Sequence, residues 1–142
     1  METYDNPWTY NKADVTDETA SGYIGFVYLI TNKKTKRKYI GKKLFWFTKT
    51  RTVKKKKKRE KVPSDWKEYY GSNDELKAEV AKLGGKNFKR EILYLCKTKG
   101  ECNYYEAYEQ FTRQVLLCDE YYNAYIQCRI NASHLPKDKK KC

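Results

Sequence analysis

A pair of apolar strands joined by a polar turn, over residues 25–41, constrains the fold of this chain more than any other stretch. Nearly every position from Ile24 to Ile30 is apolar, so both faces of the first strand are apolar. A strand of this kind is typically covered on both faces, which predicts a central position in its sheet. The second strand covers residues 38–41, beyond a turn rich in lysine.

Two tyrosines of this hairpin are predicted to lie side by side. A turn centred between Lys33 and Lys34 places Tyr28 directly opposite Tyr39. Residues directly opposite in an antiparallel pair project from the same face, with Cβ atoms about 5 Å apart. A slip of one residue would send the two phenols to opposite faces, so their shared face is a hypothesis about register.

Positive charge is concentrated in one segment of the chain. The net charge is +13, and residues 33–62 alone hold sixteen Lys or Arg and one acid, which gives +15. The remainder of the chain holds fifteen bases and seventeen acids, which gives −2. Such a patch neutralises phosphates and makes binding depend on salt, so nucleic acid is the expected partner. A membrane is not expected, because the basic run has no apolar helical face.

Residues 42–65 are predicted to form a long basic loop. Its apolar segment, residues 44–47, is expected to dock on the sheet. Five consecutive lysines repel one another, so we expect the loop to be mobile when no polyanion is bound. A loop of this length in a small domain is often functional. The DNA-binding candidates are Lys42, Lys43, Lys54, Lys55, Lys56, Lys57, Lys58 and Arg59.

Capping residues predict two helices and a strand in the second half of the chain. After a short helical turn over residues 65–70, Ser72 and Glu75 have the spacing of a capping box, and Gly84 ends the helix that they begin. Residues 88–96 predict the third strand.

The last helix is predicted to begin at Asn103, with Glu106 at the capping-box position, and to run to about Cys118. Apolar residues recur along it at helical spacing and predict a buried stripe. The members of this stripe are Tyr104, Tyr108, Phe111 and Val115.

This order of elements predicts an α+β fold with a small three-stranded antiparallel sheet flanked by helices. We expect one domain over residues 23–130, an N-terminal arm over residues 1–22 that packs across the core, and a basic C-terminal tail over residues 131–142. No apolar stretch approaches the roughly 20 residues of a membrane span, and no secretory signal is recognised. The five cysteines form no Cys-x-x-Cys pair, so a reducing cytoplasm is expected.

The single histidine, His134, lies in the C-terminal tail. Nucleases that use a histidine base, and serine or cysteine hydrolases with a histidine partner, therefore lack their base here. Any catalysis has to use Tyr, Lys, Arg, Asp and Glu. A phenol is a poor base at its ordinary pKa near 10, although neighbouring cations such as Lys42 and Lys43, or a metal, would favour the phenolate.

The hairpin resembles the signature of the GIY-YIG nucleases. Phe26-Val27-Tyr28 stands where the family has Gly-Ile-Tyr, and ten residues separate it from Tyr39-Ile40-Gly41. The resemblance covers about residues 23–130, and the chain looks most like the small free-standing members common in phages. It implies the predicted fold, a metal-dependent DNA endonuclease, and the host cytoplasm as its location if the protein is phage-encoded.

The resemblance also implies catalytic residues. Tyr28 would orient or activate the nucleophile, and Tyr39 would support it. The family's arginine beyond the second motif corresponds best to Arg51, which would bind the scissile phosphate through its fork of donors. Arg59 is the competing assignment. Tyr69 or Tyr70 would stand in for a family histidine or tyrosine near this arginine.

The implied metal ligand is a glutamate on the last helix. Glu109, followed by Gln110-Phe111, resembles the family's Glu-Asn-aromatic pattern, whereas Glu106 has a structural role as a capping residue. A single carboxylate with several waters suits Mg²⁺ (or Mn²⁺). Asn123 matches an asparagine commonly found after this helix, and we expect it to fix the local backbone.

Other functions remain open at this stage. A non-catalytic nucleic-acid-binding protein would use the basic loop as an electrostatic clamp. A nuclease of the Asp…Glu-x-Lys class has a formal match in Asp65 and residues 75–77, but that chemistry needs its Glu-x-Lys on a strand. A single active site cuts one strand at a time, so double-strand breaks require sequential nicking or a homodimer on DNA.

Overall fold

A computed structural model describes residues 4–127, which form a five-stranded sheet, flanking helices and a separate two-stranded ribbon. Short 3₁₀ turns cover Trp66–Glu68 and Gly85–Asn87. The other elements, in chain order, are β1 (Thr9–Tyr10), β2 (Ala13–Asp14), α1 (Asp17–Ser21), β3 (Gly25–Asn32), β4 (Lys38–Leu44), β5 (Trp46–Val53), β6 (Lys56–Pro63), α2 (Asp74–Leu83), β7 (Phe88–Cys96) and α3 (Lys99–Thr112).

The sheet has the strand order β2-β1-β7-β3-β4. Strand β3 lies between β7 and β4, is antiparallel to both and is buried at nearly every position, which confirms its predicted central place. The α+β class is also confirmed, but the prediction of three antiparallel strands is wrong. The N-terminal segment adds the hairpin β1–β2, and β1 runs parallel to β7, so the sheet has five strands and is mixed.

The register of the β3–β4 hairpin differs by two residues from the prediction. Tyr28 pairs with Gly41, and Tyr39 pairs with Ile30. The turn is centred between Lys34 and Thr35, one residue later than predicted, and the Asn32 side chain accepts a hydrogen bond from the Lys34 amide within it at 2.9 Å. A shift of two residues preserves the face of each side chain, so the phenols still lie on one face of the sheet, as diagonal neighbours.

The N-terminal segment contributes side chains to the core itself. Trp8 is completely buried, and its indole N–H donates to the Trp66 carbonyl at 2.7 Å. Val15 and Ala20 are buried in the same cluster. Removing this segment would therefore expose the apolar face of the sheet. The prediction was of an arm that packs across the core, whereas the segment is part of the core.

The basic segment forms a β-ribbon, so the prediction of a loop is wrong. Strands β5 and β6 pair along their whole length, and Lys54 and Lys55 make a two-residue turn with φ of 50° and 62°. Threonines alternate along β5, and β-branched residues favour strands. The ion pair between Arg51 and Glu60, 3.2 Å, links the two strands. The apolar segment at its base does dock, since Phe45 is fully buried.

Helix α2 ends at Gly84 as predicted, but its N-cap is Asn73, whose side chain accepts from the Leu76 amide at 2.9 Å. The Ser72 hydroxyl instead lies 3.0 Å from the Tyr39 hydroxyl. Leu76, in the first turn of this helix, is fully buried. The predicted capping box was therefore placed one residue too early, because Ser and Asn are equally good caps and adjoin one another here.

The N-cap of helix α3 lies five residues before the predicted cap, Asn103, and the helix ends at Thr112 rather than near Cys118. Thr98 is its N-cap and accepts from the Glu101 amide at 3.1 Å. The helix buries Cys102, Ala107 and Gln110, whereas Phe111 is 58% exposed. The predicted buried stripe is thus wrong for Tyr104, Tyr108 and Phe111, which are exposed. Val115 is buried but lies beyond the helix. Small side chains on the buried face let the helix lie close to β3 and β4.

Within residues 4–127, no helix has the length and apolar character needed to cross a membrane. His134 and the predicted C-terminal tail lie outside the described residues.

Candidate active site

A cavity of about 420 Å³ opens beside the β3–β4 hairpin, between the start of α2 and the middle of α3. Both motif tyrosines line it, together with side chains from β4, from α3 and from the segment after α3. The lining residues that matter for chemistry are Tyr28, Tyr39, Lys42, Glu106, Gln110 and Asn123.

The two phenols lie close together at the inner wall of this cavity. The ring centroids of Tyr28 and Tyr39 are 6.1 Å apart, and Tyr28 also meets Tyr69 edge-on at 5.9 Å. The Tyr39 hydroxyl lies 3.0 Å from the Ser72 hydroxyl, within hydrogen-bond distance. Tyr69, one of the two tyrosines expected to join the site, therefore does contact it, whereas Tyr70 packs against Arg90.

Both phenols are protonated at neutral pH, and burial makes them harder still to ionise. Burial raises the pKa of Tyr28 well above its ordinary value, with Tyr69 and Tyr39 adding to the effect. Burial likewise raises the pKa of Tyr39, although its bond to Ser72 opposes the rise. The expectation that nearby lysines favour the phenolate is therefore not met by the protein alone. Lys43 instead pairs with Asp65 at 2.6 Å.

Helix α3 presents Glu106 to the same cavity. Its carboxylate Oε1 lies 3.8 Å from Lys42 Nζ, and the Glu106 side chain is only 14% exposed. Burial raises the pKa of Glu106, and the Lys42 charge partly offsets that rise. Lys42 also donates to the Asn103 side-chain oxygen. A largely buried carboxylate, an ammonium group and two phenols thus line one cavity.

Glu109 points into a different environment. It accepts a hydrogen bond from the Tyr94 hydroxyl at 2.8 Å and pairs with Arg113 at 2.8 Å. It does not line the cavity of the two phenols. Glu106 was discounted as a capping residue of a helix starting at Asn103, and that start is wrong. Since α3 begins at Lys99, Glu106 is free of a cap role and lies in mid-helix.

The comparison with protein families bears directly on this site. Residues 8–126 match the family model described as "Putative endonuclease segE, GIY-YIG domain". The chain belongs to the GIY-YIG endonuclease family. Comparisons with curated proteins and with solved structures gave no match. The match begins at Trp8, whose side chain is buried in the core, so the GIY-YIG domain takes in much of the segment predicted to be a separate arm.

The two arginines considered for the catalytic site of the GIY-YIG domain lie outside the cavity. Arg51 is on the ribbon, where its side chain is 64% exposed and paired with Glu60. Arg59 lies on the opposite strand, across from Thr50. Among the described residues that line the cavity, Lys42 is the basic one. The catalytic role of Arg51 stays a prediction, and the geometry offers Lys42 in its place.

Two side-chain amides hold the strand that carries the second motif of the GIY-YIG domain. The Asn123 oxygen accepts from the Ile40 amide at 3.1 Å, and its nitrogen donates to the Ile40 carbonyl at 2.8 Å. The Gln110 nitrogen donates to the same carbonyl at 3.1 Å. Asn123 thereby fixes the backbone as expected, on the edge of β4 that does not pair with β3, where Lys38 also forms a bridge with Tyr121.

The residues of this cavity fit a hard divalent cation bound largely through water. No cluster of three metal-ligating side chains occurs within residues 4–127, but Mg²⁺ characteristically takes one or two carboxylates and keeps several waters. Glu106 provides one carboxylate. One helical turn further, the buried Gln110 amide oxygen has no hydrogen-bond partner in the described part of the chain, and it is a neutral oxygen of the kind that such cations accept.

The alternative of a nuclease of the Asp…Glu-x-Lys class finds no support in the described residues. Glu75-Leu76-Lys77 lies in the first turns of α2 rather than on a strand. Glu75 pairs with Arg37, and Leu76 is buried, so this tripeptide serves the helix and the core.

Proposed function

We propose that this GIY-YIG domain is a divalent-metal-dependent DNA endonuclease that hydrolyses phosphodiester bonds in the cavity of Tyr28, Tyr39, Lys42 and Glu106. The observation that carries the proposal is their convergence: the carboxylate of Glu106 and the ammonium of Lys42 lie 3.8 Å apart beside two phenols whose rings are 6.1 Å apart. Family membership supplies the reaction class. Glu106 takes the place that the sequence had favoured for Glu109.

Glu106 is the residue that would hold the metal. Mg²⁺ or Mn²⁺ bound there would act as a Lewis acid on the phosphate and stabilise the leaving 3′ oxygen. The Glu106 carboxylate is held in a fixed position by burial and by Lys42, which favours a single mode of binding. The buried Gln110 amide oxygen would be the second ligand that the protein provides to the metal.

The phenols would act as hydrogen-bonding groups. Because burial holds the pKa of Tyr28 and of Tyr39 above the ordinary value, each keeps its proton at neutral pH, and neither is a base in the protein alone. Each can donate a hydrogen bond to the phosphate, or accept one from an attacking water and so orient it. The contribution of the two phenols would then be to hold the phosphate or the attacking water in the geometry of the transition state.

Lys42 would bind a non-bridging oxygen of the scissile phosphate. An ammonium group binds phosphate as a point charge, without the bidentate fork of arginine. It would neutralise charge that develops in the transition state, which is often the largest single contribution to such catalysis. This is the role that the sequence had assigned to Arg51.

The test is cleavage of supercoiled plasmid DNA with Mg²⁺ or with EDTA, by wild type, Glu106→Gln and Glu109→Gln. We expect metal-dependent nicking by wild type, a loss of about a hundredfold or more in Glu106→Gln, and retained nicking in Glu109→Gln. DNA binding and the circular dichroism spectrum should be unchanged in Glu106→Gln. Loss in Glu109→Gln alone would return the metal-ligand role to Glu109.

The same experiment separates the nuclease from a non-catalytic clamp. Salt-sensitive DNA binding by wild type without any metal-dependent cleavage would favour the clamp. Nothing in residues 4–127 supports a homodimer, so the first product expected from one active site is a nicked circle.

A further inference from the structure

The ribbon β5–β6 has the shape and charge of a DNA-recognition element. Its two strands pair with each other and, among the described residues, with no other strand. Most positions along both strands are exposed. Eight residues per strand at about 3.4 Å each give a length of roughly 27 Å. A two-stranded ribbon is one of the two elements that the major groove of DNA, about 12 Å wide, admits.

The register divides the ribbon into two faces of equal charge. Residues directly opposite one another share a face. The Phe47 face consists of Phe47, Lys49, Arg51, Val53, Lys56, Lys58, Glu60 and Val62. The Trp46 face consists of Trp46, Thr48, Thr50, Thr52, Lys57, Arg59, Lys61 and Pro63. Four bases and one acid give the Phe47 face +3, and three bases give the Trp46 face +3. Net charge alone therefore does not indicate which face binds DNA.

The cavities at the base of the ribbon indicate which of the two faces leads to the active site. Phe47 lines a cavity of about 350 Å³ together with Lys42, Lys43, Lys99 and Asn103. Lys42 also lines the catalytic cavity, so the Phe47 face continues into the active site through one shared lysine. Lys43 lies 5.0 Å from the Phe47 ring centre and extends this basic surface.

The base of the Trp46 face lies against a different part of the domain. Trp46 and Lys61 line a cavity with Gly22, Tyr23 and Lys97, and the Trp46 indole N–H donates to the Ala20 carbonyl at 3.1 Å. None of the catalytic candidates lines that cavity. A duplex whose scissile phosphate is at Lys42 and Glu106 would therefore extend along the Phe47 face.

We propose that the ribbon binds duplex DNA in the major groove through its Phe47 face, beside the bond that is cut. The orientation of the face rests on the proposed function, since it uses the position of the catalytic cavity. Lysines also keep exposed strand edges from pairing with other chains, but that role would apply to both faces alike. Arg51 then contacts DNA beside the scissile phosphate, and Glu60 holds its guanidinium in place until DNA binds.

Two double variants test the orientation, with the same loss of charge and the same mean distance from the base of the ribbon. Lys49→Thr with Lys58→Thr alters the Phe47 face, and Lys57→Thr with Lys61→Thr alters the Trp46 face. Threonine preserves strand propensity. Binding to a mixed-sequence duplex is measured by fluorescence anisotropy over a range of salt concentrations, with EDTA present. Cleavage plays no part in this readout, so a failure of the proposed nuclease activity would leave the result interpretable.

We expect the Phe47-face variant to lower the slope of log K against log salt by about 1.8, since each phosphate contact contributes about 0.9. The Trp46-face variant should keep the wild-type slope, so the proposal removes Lys57 from the DNA-binding residues predicted from the sequence. Equal losses in both variants, a loss confined to the Trp46-face variant, or the absence of duplex binding by wild type would each overturn the proposal. Circular dichroism and thermal unfolding verify that both variants are folded.

The groove is tested by methylation interference on the same duplex. Dimethyl sulfate modifies guanine at N7, in the major groove, and adenine at N3, in the minor groove. We expect guanine methylation to be depleted from the bound fraction and adenine methylation to be tolerated. Depletion of adenine methylation alone, or of neither, would overturn insertion into the major groove.

Discussion

The Tyr28 hydroxyl occupies the space that a side chain at Gly41 would need. A Cβ atom at position 41 would lie 2.6 Å from Tyr28 Cζ and 3.0 Å from Tyr39 Cε2, and closer still to the Tyr28 hydroxyl. The two residues are directly opposite in the β3–β4 ladder, so their side chains would share one face. The glycine that ends Tyr39-Ile40-Gly41 thus has a steric reason: it lets a fully buried phenol reach the cavity.

Replacing Gly41 with alanine should therefore damage both stability and catalysis. The new methyl group has to displace the Tyr28 ring, and overpacking of this kind costs about 1–3 kcal/mol. We expect Gly41→Ala to lower the free energy of unfolding by that amount in urea titrations, and to reduce the rate of DNA cleavage with little change in DNA affinity.

A matched control is Gly22→Ala. A Cβ atom at Gly22 would have the Thr19 carbonyl oxygen at 3.7 Å as its nearest neighbour, which is ordinary contact. This variant should stay within about 0.5 kcal/mol of wild type. If Gly41→Ala cleaved DNA as fast as wild type, the argument that Tyr28 has to reach the cavity through position 41 would be wrong.

Asn123 should be required for the position of the second motif. Its side chain binds both backbone groups of Ile40 and is 8% exposed. Asn123→Ala leaves the Ile40 amide without this acceptor, and a buried unpaired group costs about 1–3 kcal/mol. We expect a lower free energy of unfolding and slower DNA cleavage, because Tyr39 and Gly41 flank Ile40.

The nearby surface residue Glu120 provides the comparison for that variant. Glu120 is exposed, and Glu120→Ala should change the free energy of unfolding by no more than about 0.5 kcal/mol. Equal effects of the two substitutions in the same urea titration would show that Asn123 has no special role in holding Ile40.

The central strand was predictable because its sequence carries a strong signal. Strand β3 is apolar on both faces, and β7 begins and ends at the predicted residues, Phe88 and Cys96. The hairpin β1–β2 was not predictable, since strands of two residues have no periodicity to detect. Trp8 was seen as part of an arm although it is fully buried, because its partners are distant in sequence.

The sequence of the ribbon does contain a strand pattern, but the high charge of the segment favoured the prediction of a loop. Thr48, Thr50 and Thr52 alternate with larger residues along β5, which is typical of a strand. The run of lysines after them suggested repulsion and a mobile loop instead. The motif also predicts that Tyr28 and Tyr39 lie together, and both line the candidate cavity, while their catalytic roles stay predictions. The choice between Glu106 and Glu109 depended on where α3 begins, and helix boundaries are the least certain part of a sequence interpretation.

Arg90 should be one of the most sensitive positions for stability. It is 1% exposed and lies between the rings of Trp8 and Tyr70, 4.7 and 4.4 Å from their centres. Its guanidinium donates to the carbonyls of Lys67 and Tyr69 at 2.8 and 2.9 Å. It also donates to the carbonyls of Asp5 and Asn6. One cation thereby joins the N-terminal segment to the turn after the ribbon.

Arg90→Lys should lower the free energy of unfolding by more than about 2 kcal/mol, since a lysine has three donors for four carbonyls and each buried group left unpaired costs about 1–3 kcal/mol. Urea unfolding measures the change. The neighbouring Lys89 makes an exposed pair with Glu91 at 3.6 Å, so Lys89→Ala should cost no more than about 1 kcal/mol. Similar values for the two variants would contradict the role given to Arg90.

Alkaline pH should weaken the attachment of the N-terminal segment through Tyr4. The Tyr4 hydroxyl donates to the Val15 carbonyl at 2.6 Å, and its ring meets Trp66 edge-on at 5.5 Å. Burial raises the pKa of Tyr4 to about 12. The folded protein therefore holds this proton more tightly than the unfolded chain, in which the pKa is about 10. The stability that Tyr4 contributes is complete below about pH 10, and is lost as the pH rises to about 12.

Tyr4→Phe isolates this contribution. At neutral pH the variant lacks the bond to Val15 and the bond that the hydroxyl accepts from the Trp8 amide at 3.2 Å, so it should be less stable by about 1–3 kcal/mol. As the pH rises beyond about 10, wild type loses the Tyr4 contribution and the variant has none to lose, so the two curves of thermal midpoint against pH should converge. Tyr125→Phe, which removes a hydroxyl from a residue that is 66% exposed, should follow wild type throughout. Parallel curves for wild type and Tyr4→Phe would show that the Tyr4 proton is held no more tightly in the folded protein than in the unfolded chain.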